Sequence, residues 1–245
     1  QVVADVASYH NADLMLGNKE MFSMITEGVK KTWKENGDEK TEAVKLVDFT
    51  NSDANEFLVV NQFTVQVVDS VCRLDAVVFV NGLPIGVFEL KSATRGSAPI
   101  GEAYRQIEYY KKEIPKLFLY NQVIGLSDLI NARHGTISSS WERYGTWKGI
   151  NTTEDIPEGA RELEVLLKGL FNKERLLDVL QNFFVFEADG DGDAVTYTKK
   201  MCLYHQYYGV NKTIESTVRA VSGMQDRKIG VFWHTQGSGK SLSMV

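Results

Sequence analysis

Between Arg73 and Ser92 the chain reads RLDAVVFVNGLPIGVFELKS. Two apolar runs of strand length, Leu74 to Val80 and Ile85 to Leu90, flank the turn residues Asn81, Gly82 and Pro84, so this stretch predicts an antiparallel hairpin. The runs are rich enough in Val and Phe to lie centrally in a sheet. Asp75, Glu89 and Lys91 then stand where apolar residues are expected, and they need a reason to be there.

Asp75 and Glu89 each lie seven residues from Gly82. A three- or five-residue loop sets them directly opposite, with Cβ atoms about 5 Å apart. A two- or four-residue loop puts them on opposite faces unless a bulge restores the register. Lys91 is two residues past Glu89 and shares its face. Two carboxylates that close repel unless a cation lies between them, and hard oxygen ligands suit Mg²⁺, which keeps several waters. This is the pattern of a metal-dependent phosphodiester hydrolase, with Lys91 placed to position or deprotonate the attacking water, or to offset charge building on phosphate. The spacing alone also fits a surface hairpin carrying the same charges on its solvated side.

A second chemistry closes the chain. Lys228 to Trp233 reads as a short apolar strand, followed by HTQGSGKS and by Leu-Ser-Met-Val, which reads as the start of a helix. Strand, glycine loop and helix make the context of a phosphate-binding loop. Thr235, Gly237, Ser238 and Gly239 would wrap the phosphates of ATP with backbone N–H groups, Lys240 would reach the β- and γ-phosphates, and the Ser241 hydroxyl would bind Mg²⁺. His234 stands where the consensus has its first glycine.

The wording around both motifs goes further. NEFLVVNQFTV (Asn55 to Val65), RLDAVVFVNGLPIGVFELK, YHQYYGVNK (Tyr204 to Lys212) and WHTQGSGKS (Trp233 to Ser241) together resemble the restriction and translocation subunit of type I restriction-modification systems. The hairpin resembles the PD-D/ExK nuclease fold, with Leu74 in place of the proline of the motif name. The resemblance implies that Asp75 and Glu89 are metal ligands and Lys91 the catalytic lysine. It implies that Gln106 and Tyr110, four apart on one helix face, form the family's Q-x-x-x-Y motif and orient the metal site or contact the DNA backbone. In helicase-like ATPases a glutamine placed like Gln206 recognises adenine, since an amide pairs with N6 and N7. Some nucleases of this fold add an acid from the first helix, and Glu20 and Glu27 are both open for that place.

The fold expected is therefore α/β: a PD-D/ExK restriction-endonuclease-like αβββαβ core with a mixed sheet over residues 1–157, then the beginning of a RecA-like P-loop motor of the superfamily 2 type over 158–245. The function expected is Mg²⁺-dependent cleavage of double-stranded DNA coupled to ATP-driven translocation, with modification and specificity subunits as partners. A type III or single-chain restriction enzyme, or a DNA-binding module without activity, are the alternatives. Position 1 is Gln and the motor motif lies at the very end, so the chain reads as part of a longer one, without ATP hydrolysis of its own.

Composition sets limits on this. With 245 residues, 43% of them hydrophobic, the chain can bury one large core or two modest ones. No apolar run has the length of a membrane span, no leader is evident, and Cys72 and Cys202 stand far apart, so a reduced cytoplasmic setting is expected. The histidines are scattered and suggest no zinc site. A net charge of −5 is not that of a strong DNA binder, although Arg73, Lys91, Arg95, Arg105, Lys111 and Lys112 are close enough in sequence to form a local basic rim.

Along the chain, Ala12 to Trp33 reads as a helix with a break at Gly17. Val44 to Phe49 and Phe57 to Val68 read as strands, Glu102 to Ile114 as a helix closed by Pro115, and Leu117 to Leu126 as a buried strand. Ile130 to Thr153 shows no period. Pro157 and Gly159 mark a boundary before a helix over Arg161 to Phe171, and Ala188 to Ala194 reads as an exposed acidic turn, lacking the spacing of a calcium loop.

Overall fold

The computed structural model describes residues 2–68, 70–92, 99–153, 155–190, 195–223 and 228–244. Two short helices, α1 (Val2–Ala7) and α2 (Leu14–Glu27), precede a projecting ribbon of β1 (Val29–Glu35) and β2 (Asp38–Val44). The central sheet then forms from β3 (Phe57–Gln66), β4 (Val71–Val80) and β5 (Leu83–Leu90). Helices α3 (Pro99–Glu113) and α4 (Pro115–Tyr120) lead to β6 (Val123–Ser127) and β7 (Ala132–Gly135). The sheet runs in the order β3-β4-β5-β6-β7, and only β5 and β6 are parallel. Mixed, with helices in the one crossover between parallel strands, this is the α, βββ, α, β order expected.

Several boundaries differ from expectation, each for a local reason. The helix expected over Ala12 to Trp33 is α2, which starts at the Asp13 cap, whose side chain accepts from Leu16 N, and stops at Gly28, where φ is 93°. Val29 to Trp33 therefore belongs to β1, turned back onto β2 by Asn36 and Gly37, both at positive φ. Gly17 does not break α2. It lets the helix press on α4, since a Cβ there would lie 2.5 Å from the Leu119 side chain. Val44 ends β2, so Val44 to Phe49 is not a strand of its own. Leu117 to Leu126 divides between α4 and β6, because Pro115 occupies the first turn of a new helix, where its missing N–H is harmless.

Beyond the sheet come α5 (Glu162–Gly169), α6 (Lys173–Asn182), the hairpin β8 (Phe184–Asp189) with β9 (Thr196–Met201), and α7 (Tyr204–Val221). Of the acidic turn, 191–194 lie outside the described residues. One core cluster runs from Val6 through Val78, Val80, Phe88, Trp147 and Leu166 to Tyr207. A second lies between the sheet and α3, with Leu74, Val77, Val87, Ile107, Tyr110 and Leu126. β9 is pinned to α2 and to the start of β6 by Lys199, which is buried and donates to Asn18 Oδ1 at 2.9 Å and to Gln122, amid the rings of Phe22, Phe184 and Phe186. Burial lowers the pKa of this lysine well below its ordinary value.

Lys228 to Trp233 forms no strand, contrary to expectation, and the turn after it continues only as a 3-10 segment, Lys240–Met244. A strand exists through its pairing, and no strand among the described residues lies beside this one. Among the described residues no helix is long and apolar enough to cross a membrane.

Candidate functional site

The hairpin turn consists of Asn81 and Gly82, at φ 50° and 79°, the left-handed pair that suits the twist of a two-residue loop. Alone it would separate the two acids. Pairing runs Val80↔Leu83 and Phe79↔Pro84, then jumps to Val78↔Gly86, which leaves Ile85 as an extra residue on β5. Past this bulge the register is Val77↔Val87 and Ala76↔Phe88, and its continuation sets Asp75 opposite Glu89. The acids face α3, on the side of Val87 and Leu126.

Glu89 is 2% exposed. Its Oε1 accepts from Lys91 Nζ at 2.6 Å, while Oε2 is buried with no hydrogen-bond partner among the described residues. Burial, which the Lys91 bond only partly offsets, together with the negative charge of Asp75, raises the Glu89 pKa to about 7. Asp75 accepts at both oxygens: from Leu90 N at 2.7 Å and from Gln62 Nε2 at 3.1 Å. Tyr110 is buried beneath the pair and donates to the Arg73 carbonyl at 2.6 Å. Desolvation raises its pKa first, and the charges of Glu89 and Asp75 add to that, while a hydrogen bond with Gln106 works the other way. The structure thus brings Asp75, Glu89, Lys91, Gln106 and Tyr110 together.

Glu20 and Glu27 are elsewhere. Glu20 accepts from Tyr9 and Asn11, and Glu27 is exposed at the far end of α2. Of the basic rim, Arg73, Arg105 and Lys112 are exposed, and Arg95 lies outside the described residues. Lys111 does not belong to it: it is buried, donating to Glu108 and to the Ile137 carbonyl, and burial lowers its pKa. Gln62 also reaches this site, though no motif spacing marks it. Its signal in the sequence is the polar pair Asn61 and Gln62 inside an otherwise apolar run.

The second candidate site is the loop from His234 to Ser241. Gly237 and Gly239 hold φ of 79° and 78°. The Gly239 carbonyl accepts from Gln206 Nε2 at 3.1 Å, an approach so close that a Cβ at Gly239 would meet that nitrogen at 2.5 Å. Gln206 Oε1 accepts from Leu203 N, so this glutamine braces the loop from the first turn of α7. His205 reaches the Ser238 carbonyl at 3.2 Å. Lys240 Nζ folds back onto the carbonyls of His234 and Thr235, at 2.9 and 2.8 Å. Thr235 and Ser241 are exposed.

Two family models match separate stretches of the chain, one containing each candidate site. Residues 1–143 match the family described as type I restriction enzyme R protein N terminus, and residues 205–245 match the SWI2/SNF2 ATPase family. The whole chain aligns at 42% identity with the type I restriction enzyme HindI endonuclease subunit of Haemophilus influenzae, covering 23% of that protein. It also aligns over its full length, at 34% identity, with a putative type I restriction enzyme endonuclease subunit, MjaIXP, of Methanocaldococcus jannaschii, covering 25% of it. A third relative, the EcoprrI endonuclease subunit of Escherichia coli, is 30% identical over 62% of the chain. The chain therefore spans about a quarter of the length of the first two.

Proposed function

Because the chain belongs to the family of type I restriction-enzyme endonuclease subunits, we propose that its hairpin is the DNA-cutting site, Asp75 and Glu89 holding Mg²⁺ and Lys91 assisting attack on phosphate. The observation that carries this reading is the orphaned, buried Glu89 Oε2 on the same row as Asp75. A carboxylate oxygen shut away from water without a donor is costly unless a cation meets it, and such an oxygen beside a second carboxylate, that of Asp75, is a donor set that suits a hard divalent ion. Mg²⁺ bound there would supply Lewis acidity toward the phosphate and activate a water.

The chain's own residues do the rest. Asp75 is held at both oxygens by donors and so presents its remaining lone pairs in one direction. Lys91, half-buried beside Glu89, provides the positive charge next to which a phosphorane-like charge is most stable. Tyr110 ties the Arg73 carbonyl, and with it the start of β4, to α3, while Gln106 keeps the phenol oriented. Arg73, Arg105 and Lys112 are exposed, and each could meet a phosphate of a DNA backbone.

The division into a nuclease part, 1–157, and a motor part, 158–245, belongs to the same reading, as do ATP binding at Thr235 to Ser241 with Gln206 against adenine, coupling to translocation, and assembly with modification and specificity subunits. The SWI2/SNF2 match supports the nucleotide site. In the assembled full-length enzyme, Asp75→Ala abolishes DNA cleavage and leaves ATP hydrolysis at the parental rate. Loss of both activities together would instead make Asp75 a structural acid.

A further inference from the structure

Three adjacent strands each place one residue on the row that crosses the acidic pair. β5 gives Glu89 and β4 gives Asp75. On β3 the pairs Asn61↔Ala76 and Phe63↔Leu74 bracket Gln62, which faces Asp75 but is missing from the ladder. Gln62 has φ of 52°, in the middle of a strand ten residues long. A residue with a Cβ enters that left-handed region at a cost in backbone energy, and keeps to it only where its surroundings over-determine it.

The consequence reaches both strands. Residues an even number apart on a regular strand share a face. Phe57 nevertheless packs in the cluster with Val78 and Val80, whereas Phe63 packs in the one with Leu74 and Cys72. Side-chain alternation therefore changes over on the Gln62·Asp75 row of both β3 and β4. At that changeover the Gln62 amide donates to Asp75 Oδ1, while the backbone N–H of Leu90 takes Oδ2.

We propose that Gln62 is a positioning residue for the nuclease site: its strained backbone aims the amide at Asp75 Oδ1 and so fixes the angle at which that carboxylate meets the cation shared with Glu89. This rests on the reading of Asp75 and Glu89 as the metal pair. The left-handed turn at Gln62 exists for the contact it makes, since a glycine would take the same φ without strain and supply no amide.

That contrast provides the test. In the full-length subunit assembled with its partners, Gln62→Gly and Gln62→Ala both remove the amide, but only alanine keeps a Cβ in the left-handed region. Both variants are expected to cut DNA 10- to 100-fold more slowly, or to need that much more Mg²⁺ for half-maximal cutting, with ATP hydrolysis unchanged, as for loss of a residue that orients a metal ligand. Only Gln62→Ala is expected to lower the Tm. Gln62→Asn, which tolerates left-handed φ and retains an amide, should recover part of the loss. Parental cutting and parental Mg²⁺ dependence in Gln62→Gly would overturn the proposal. So would cutting that follows the Tm across the three variants. The underlying reading fails separately: if Asp75→Ala still cuts, there is no metal pair for Gln62 to serve.

Discussion

The two candidate sites of this chain are built in opposite ways. At the hairpin, three strands of a five-stranded sheet carry the side chains, and their geometry is set by register, bulge and packing against α3. At the loop from His234 to Ser241, the stretch from Ile229 to Trp233 joins no sheet among the described residues, and its apolar residues Ile229, Val231 and Trp233 are exposed. The loop is held instead by hydrogen bonds from α7 and by Lys240 bonded to its own backbone. A site on a sheet is organised before anything binds. A loop closed on its own lysine must exchange those bonds for phosphate, so nucleotide has to reorganise it.

The largest effect that tests this contrast is functional. In the full-length subunit Lys240→Ala lowers ATP hydrolysis by roughly two orders of magnitude or more, as expected for removing a charge aimed at the transferring phosphate. Calorimetric Mn²⁺ binding, which Asp75→Ala should remove if Asp75 and Glu89 are the proposed metal pair, should stay at the parental affinity in Lys240→Ala. If Lys240→Ala weakened Mn²⁺ binding as well, the two sites would share structure and the contrast would break.

The next effect concerns pH, and two histidines divide along the same line. His134 on β7 is fully buried against the edge of Trp147, with neither ring nitrogen hydrogen-bonded among the described residues, and burial lowers its pKa to about 4. The unfolded chain, with an ordinary imidazole, binds more protons than the folded one between pH 6.5 and 4. The stability that neutral His134 contributes is therefore complete above pH 6.5 and is lost as pH falls toward 4, by up to about 3 kcal/mol at the acid end. Denaturant titrations of His134→Leu across that window should show a flattened acid limb. His234 in the loop is only half-buried, its pKa lowered by burial and by the charges of His205 and Lys240, and replacing it should leave the limb close to parental.

How much of this was legible in the sequence follows the same division. The hairpin could be read because Asn81-Gly82 names its turn and because acids inside a Val- and Phe-rich run need a reason to be there. Its register could not, since it depends on one bulged residue, Ile85, that no local signal marks. The helix over Glu102 to Ile114 followed from its apolar stripe, whereas Leu117 to Leu126 has no period that separates a buried helical turn from a buried strand. Gln62 escaped because its importance lies in a backbone angle and in a partner thirteen residues away. For the terminal loop, the motif was plain and the strand before it was not formed, because propensity alone cannot supply a neighbour to pair with.

The smallest effect is the sharpest on that last point. Trp233 is 85% exposed and Val231 87%, while Ile229 is 51% exposed, so in this chain Trp233→Ser should change the unfolding free energy by no more than about 0.5 kcal/mol. The relatives are about four times longer, and an apolar run ahead of a phosphate-binding loop belongs inside a sheet. In the full-length subunit the same substitution should therefore cost about 3 kcal/mol, in the range of truncating a buried tryptophan. The difference between the two measurements is what the rest of the chain adds to this strand. Equal losses in both would mean that the strand already packs within these 245 residues, and the contrast between a finished sheet and an unfinished loop would fall.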